Sequence, residues 1–168
     1  MASADVRQLK ERAGAAWANL RRQLQGMESY LERSDAPGEW TAREVLSHLL
    51  GEPGWEPVAQ LKTFAFADLP VIEIGPGDTH VTAERERMTL PQFVDALAAQ
   101  QRSVLDYLES LSDVDLQRKA RIPLFKTFMG TDEITLPIYA GAMFDYHWND
   151  HAGQVAKIRK AVGLPEAG

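Results

Sequence analysis

The chain contains no cysteine. Disulfides, thiolate metal ligands and a protein-borne sulfur nucleophile are therefore excluded, and any thiol chemistry needs a thiol cosubstrate. It also lacks an apolar run long enough to span a bilayer, which takes about 20 residues. Near the start, Asp5, Arg7, Lys10, Glu11 and Arg12 interrupt the apolar stretch that a secretion signal requires. The expectation is a cytoplasmic protein with no membrane partner. A basic stripe is missing too: the formal charge is -6, with acidic and basic residues interleaved. Binding to phosphate backbones needs a positive face, so nucleic acid is not expected as a partner.

What is present describes a folded protein. Hydrophobic residues make up 45% and charged residues 25% of the 168 positions, the balance of ordinary globular chains. A length near the usual ~150 residues per domain predicts one domain over residues 1–168. Apolar side chains at Val6, Leu9, Ala13, Ala16, Trp17, Leu20, Leu24, Met27 and Leu31 keep helical spacing, which predicts a first helix from Asp5 to about Arg33. The stretch "SDAPGEW" then reads as a turn.

A second helix is predicted to start at Thr41, because Thr41 and Glu44 form a capping box and Trp40 can pack on Val45 as a hydrophobic staple. Pro53, Gly54 and Pro57 should interrupt it, with helical character resuming through "VAQLKTFAFA". Asp68 to Met88 reads as a long connection with a β-like patch at Val71 to Ile74. Thr89, Pro91 and Gln92 open a third helix, whose stripe is Phe93, Leu97, Val104, Leu105 and Leu108. After an irregular stretch, a last helix runs from near Thr135 to Val162 and is stopped by Gly163 and Pro165. The predicted fold class is all-α: a four-helix bundle with a long crossover connection between helices 2 and 3.

Two of the four histidines, His147 and His151, stand four residues apart on that last helix, so their Cβ atoms lie roughly 5–6 Å apart on one face. Stepping back reaches Ala140, Met143 and Phe144, and stepping forward reaches Val155 and Ile158, which places both on the core side. Buried imidazoles need polar partners. A metal ion is one solution; hydrogen bonds among Asp145, Tyr146, Asn149, Asp150 and Gln154 are another. His48, on the inward stripe of the second helix, is the candidate third ligand, since bundles build metal sites from facing helices. Trp148 follows His147, so the glutamate base of the H-E-x-x-H metalloproteases is missing. No glutamate stands three residues before a histidine, so the ferritin-like carboxylate pattern is missing as well. His80 reads as a surface loop residue, with a lid or substrate contact as the alternative.

These pieces resemble a known family. "EWTAREVLSHLL", with a W-[ST]-x-x-E-x-x-x-H pattern from Trp40 to His48, and "HWNDHAGQVAKIRKAVG", with H-x-x-x-H-x-G-Q at His147, His151, Gly153 and Gln154, are similar to the DinB-like superfamily of bacterial metal-binding four-helix bundles. The resemblance covers essentially the whole chain. It implies that His48, His147 and His151 bind a divalent metal, and that a homodimer could form through helix faces. Family members include thiol-dependent transferases and a mycothiol-dependent isomerase, and many have no known activity. The insertion "GEPGWEP" after His48 departs from the smooth helix usual in the family and is expected to reshape the mouth of the site.

Three neutral imidazoles suit zinc, nickel, iron or copper and leave an open coordination position, as in catalytic sites. The expected function is that of a metal-dependent enzyme acting on a small molecule. It would be either a thiol-dependent S-transferase using a low-molecular-weight thiol cosubstrate, or a hydrolase. The alternative is a non-enzymatic, stress-associated or ligand-binding bundle whose histidines are structural. No general base is identified. Glu44 is explained by its cap, whereas Asp150, Glu52 and Gln154 are candidates to orient the imidazoles from behind. Trp17, Trp55 and Trp148 read as core, with a pocket wall as the other possibility.

Overall fold

Four helical elements carry most of the buried surface, and each begins or ends where the sequence supplies a local reason. The computed structural model describes residues 3–75 and 77–168; Met1, Ala2 and Pro76, the last within the predicted crossover, lie outside the described residues. Helix α1 (Ala4–Leu24) starts at Ser3, whose hydroxyl accepts from the Val6 amide, and buries Val6, Leu9, Ala13, Ala16, Leu20 and Leu24. It ends well before Arg33. Gly26 adopts φ +77°, a left-handed conformation that favours glycine and breaks the helix. Met27 and Leu31 nonetheless remain in the core at 0% and 5% exposure, so the apolar period outlasts the helix.

Helix α2 (Ala42–Leu50) begins as predicted: Thr41 accepts from the Glu44 amide and the Glu44 carboxylate accepts from the Thr41 amide. It stops at Gly51, φ +80°. The long crossover follows, with α3 (Pro57–Lys62), a 3₁₀ turn at Thr63–Ala65 and a single helical turn, α4 (Ala83–Glu86). Helix α5 (Leu90–Glu109) carries the second capping box, Thr89 with Gln92.

The stretch read as irregular contains short structure instead. It holds α6 (Asp113–Leu116), β1 (Lys119–Arg121), α7 (Lys126–Met129) and β2 (Glu133–Thr135). The two strands pair antiparallel with Ala120 opposite Ile134, both fully buried. Of the predicted β-like patch, Val71 forms a single parallel bridge to Arg121, which fastens the crossover to this hairpin.

The last helix runs through residues 136–161 as α8 (Leu136–Gly141), a π-helical turn (Ala142–Tyr146) and α9 (His147–Ala161). The π turn has a packing cause. Ala140, Phe144, Trp148 and Ala152 are all buried, yet twelve residues at about 100° each overrun three full turns by about 120°. A wider i→i+5 turn takes up that drift and keeps the stripe on the core. Helix α1 packs along α9 and also meets α5 and α8, while α2 packs on α5 and α9. This is an all-α four-helix bundle with its long crossover between the second and third bundle helices.

Candidate metal centre

Because α2 lies against α9, the last turn of one faces the first turn of the other. His48, His147 and His151 meet there as a group whose ligand atoms all lie within 4.8 Å of one another. The Nε2 atoms of His48 and His147 are 2.9 Å apart, and those of His147 and His151 are 3.1 Å apart. His147 is the middle member and Trp148, its neighbour, is the core residue, stacked edge-on between Trp17 and Phe144.

The outer two rings are fixed from behind. His48 Nδ1 lies 2.8 Å from the Asp78 carbonyl oxygen and His151 Nδ1 lies 2.8 Å from Gln154 Oε1. Both partners accept only, so both histidines carry their proton on Nδ1 and present a bare Nε2 to the centre. Burial, followed by the neighbouring imidazoles, pushes the His147 pKa down to about 3. Burial also lowers that of His48, with the Asp78 carbonyl opposing. Neutral His147 has one ring proton. Placed on Nε2 it can satisfy one neighbour and leaves the other lone pair facing a third nitrogen. A cation satisfies all three, and nitrogens about 2.0–2.1 Å from one ion stand roughly 3.0–3.4 Å apart, close to the spacing here. The donor set fits a divalent metal.

A loop from the crossover closes over this arrangement. Asp78 Oδ1 accepts from the Thr79 amide at 2.6 Å and the His80 amide at 3.5 Å, a local turn that aims the Asp78 carbonyl at His48. Gly77 lies so close that a Cβ there would stand 3.3 Å from His48 Cε1. Arg85 Nη1 donates towards the carbonyl oxygens of Ser47, Gly51 and His80 at 3.0, 2.6 and 3.2 Å. It therefore ties the exposed-carbonyl end of α2 to the loop. Trp40 lies against His48, centroids 5.0 Å apart, and parallel to the His151 ring at 6.3 Å.

Of the other residues singled out from sequence, Gln154 is in place behind His151. Glu52 and Asp150 are exposed, and among the described residues no hydrogen bond joins either to a histidine. Glu44 is occupied in its cap. His80 lies near His48 and is half-buried, with φ +53°, but is not in the three-histidine group. Asp78 and Arg85 were not foreseen. Their contributions run through backbone carbonyls, which carry no residue signature; the Thr82 cap just before Arg85 marks only a helical turn.

The "GEPGWEP" insertion shapes the mouth. Trp55 folds over Gly51, where a Cβ would sit 2.5 Å from its ring, and so joins the wall of a chamber of about 370 Å³ that also exposes His48 and His147. A larger depression of about 580 Å³, bordered by Asp5, Arg12 and Asp145, contains none of the three histidines. Chemistry belongs with the smaller chamber, because the histidine cluster opens into its concave wall.

A helical bundle with three inward imidazoles at the junction of two helices defines a class of histidine-cluster bundles. The DinB superfamily model matches residues 7–155, and the chain belongs to that superfamily. Among solved structures it is similar to YfiT from Bacillus subtilis, described as a probable metal-dependent hydrolase with an unusual four-helix bundle topology. The TM-score is 0.72 at 18% identity, covering 98% of this chain and 92% of that one, a likeness in fold. No functionally curated protein matches.

Proposed function

We propose that the protein is a metal-dependent hydrolase of small molecules, with a divalent ion held by the Nε2 atoms of His48, His147 and His151. The observation that carries this reading is the convergence of three Nε2 atoms, two of them stripped of protons by the Asp78 carbonyl and Gln154. Zinc, nickel and iron all suit three neutral imidazoles. Such an ion supplies Lewis acidity and lowers the pKa of water or a thiol bound to it.

The chain's own residues supply orientation and protection. Asp78 and Gln154 hold two rings in register, and groups that orient metal-bound imidazoles in this way are generally worth roughly 10- to 100-fold in metal affinity. Depression of the His147 pKa to about 3 keeps its lone pair available at neutral pH. Tyr139 lines the same chamber. Its hydroxyl donates to Gln60 Oε1 at 2.6 Å and burial pushes its pKa to about 12, so it is no base at neutral pH.

A second reading is thiol-dependent S-transfer, favoured by the open chamber beside the histidines in a chain with no cysteine; it requires a low-molecular-weight thiol from outside. A homodimer and a cytoplasmic location accompany either reading as expectations. Among the described residues no helix is long and apolar enough to cross a membrane. Elemental analysis tests the centre: the purified protein should carry about one divalent ion per chain, and a His48→Ala/His147→Ala/His151→Ala variant none. Equal metal in both sinks the proposal. Ester and amide panels with and without bacillithiol or mycothiol then separate hydrolysis from transfer, and metal content without turnover would favour a non-enzymatic binding bundle.

A further inference from the structure

The chamber beside the histidines has walls of one chemical kind. Trp55, Leu124, Phe125, Phe128, Met143 and Tyr146 face it, and among the described residues no lysine, arginine, aspartate or glutamate lines it. Three of those walls are large and left in water: Leu124 is 46%, Phe128 59% and Tyr146 72% exposed. Apolar side chains grouped at the rim of a pocket mark a surface to be covered by a ligand. Its volume, about 370 Å³, is at the small end of ligand pockets, which run roughly 300–1,000 Å³. That fits a body of one or two rings. A carboxylate, sulfonate or phosphate held away from the histidines would give up hydration with no lysine or arginine among the described lining residues to pair with it.

We infer that this chamber is a subsite for uncharged substrates with an apolar, one- or two-ring body, whose reactive carbonyl is presented to the His48 and His147 side. The inference rests on the hydrolase reading for its chemistry but not for its binding. For an aryl ester the reaction is simple. The water oxygen forms the new bond to the acyl carbon, the bond from that carbon to the aryloxy oxygen breaks, and the departing aryloxy group takes up the proton that water gives up.

The test uses zinc-reconstituted protein and two matched pairs of probes. 2-Naphthol and 6-hydroxynaphthalene-2-sulfonate are titrated by fluorescence, and their acetate esters are assayed for hydrolysis. The neutral naphthol should bind at least about tenfold tighter than the sulfonate, reflecting the uncompensated charge. Phe128→Asp, and independently Leu124→Asp, should weaken naphthol by about tenfold while metal content stays the same. Phe66→Asp, at a residue 77% exposed and outside the chamber, should leave binding unchanged. Equal affinity for both probes, or indifference to both chamber variants, overturns the inference. Selective naphthol binding without ester hydrolysis keeps the subsite and rejects the hydrolase. Hydrolysis of both esters at equal efficiency, with equal binding, keeps the hydrolase and rejects the subsite.

Discussion

Arg159 and Arg85 are both held by backbone carbonyls, and they do different work. Arg159 is 6% exposed. It donates to the Gln23 carbonyl at 3.0 Å, to that of Gln25, and through Nε and Nη2 to that of Pro165 at 3.3 and 2.8 Å. Its partners are the end of α1 and the segment after α9, so it closes the bundle. Arg85 is half-buried and joins the end of α2 to the loop whose Asp78 carbonyl orients His48. At about 1.5 Å per residue, Arg159 is roughly 18 Å along α9 from His147. The same guanidinium chemistry thus stabilises the fold in one region and aligns an imidazole in the other. What decides between them is what each arginine fastens: the end of α1 to the segment after α9 for Arg159, and the end of α2 to the loop over the site for Arg85.

The largest expected difference between the two regions appears on acidification of the metal-free protein. The His147 pKa is about 3 when folded against about 6.5 when unfolded. Between those values the unfolded chain binds the extra proton, so stability is undiminished above about pH 6.5 and is lost as the pH falls towards 3. At pH 4 the loss from this group is about 3 kcal/mol, and His48, shifted the same way, adds to it. Urea unfolding of stripped protein at several pH values should show this slope, and His147→Asn should flatten it. An unchanged slope in that variant would break the assignment.

Next in size is Arg159→Leu. Removing a buried cation that serves three carbonyls should lower unfolding free energy by about 3 kcal/mol. Metal affinity of the folded protein should stay within about twofold of the parent, since distant sites act independently. Denaturant titration and a competitive chelator read the two quantities separately. A large fall in metal affinity would erase the distinction between the arginines.

Local signals explain how much was legible in the sequence. The Thr41–Glu44 and Thr89–Gln92 boxes involve residues three apart, so they read correctly without any tertiary knowledge. The three histidines were legible because helical spacing and inward stripes placed two on one face and one opposite. The overrun of α1 arose because Met27 and Leu31 stay buried after the chain has left the helix; Gly26 was the signal against it. The three-residue strands β1 and β2 are too short to display alternation. The π turn was written in the four-residue spacing of Ala140, Phe144, Trp148 and Ala152, a period that a straight α-helix cannot keep buried. Asp78 and Arg85 stayed hidden because every residue has a carbonyl, and only the folded loop shows which ones matter.

The smallest effect, and the sharpest for the comparison, is expected from Arg85→Leu. Two of its carbonyl partners lie at the rim: Gly51 follows α2, His80 sits in the loop, and both are partly exposed, while the third, Ser47, is buried. Water can replace the lost donor at Gly51 and His80 but not at buried Ser47, so stability should fall by about 1–2 kcal/mol. The loop would nonetheless be freed from α2, and with it the Asp78 carbonyl that holds the His48 proton on Nδ1. Metal affinity should drop about tenfold, equivalent to about 1.4 kcal/mol, the scale on which orienting groups act behind metal-bound histidines. A histidine-selective NMR measurement adds a readout that a purely structural role would not move: the His48 Nδ1–H signal should lose protection from exchange while the His151 signal, held by Gln154, keeps it. Loss of both signals together would mean that Arg85 supports the fold as Arg159 does. Retention of both with unchanged affinity would mean that the loop stands without it.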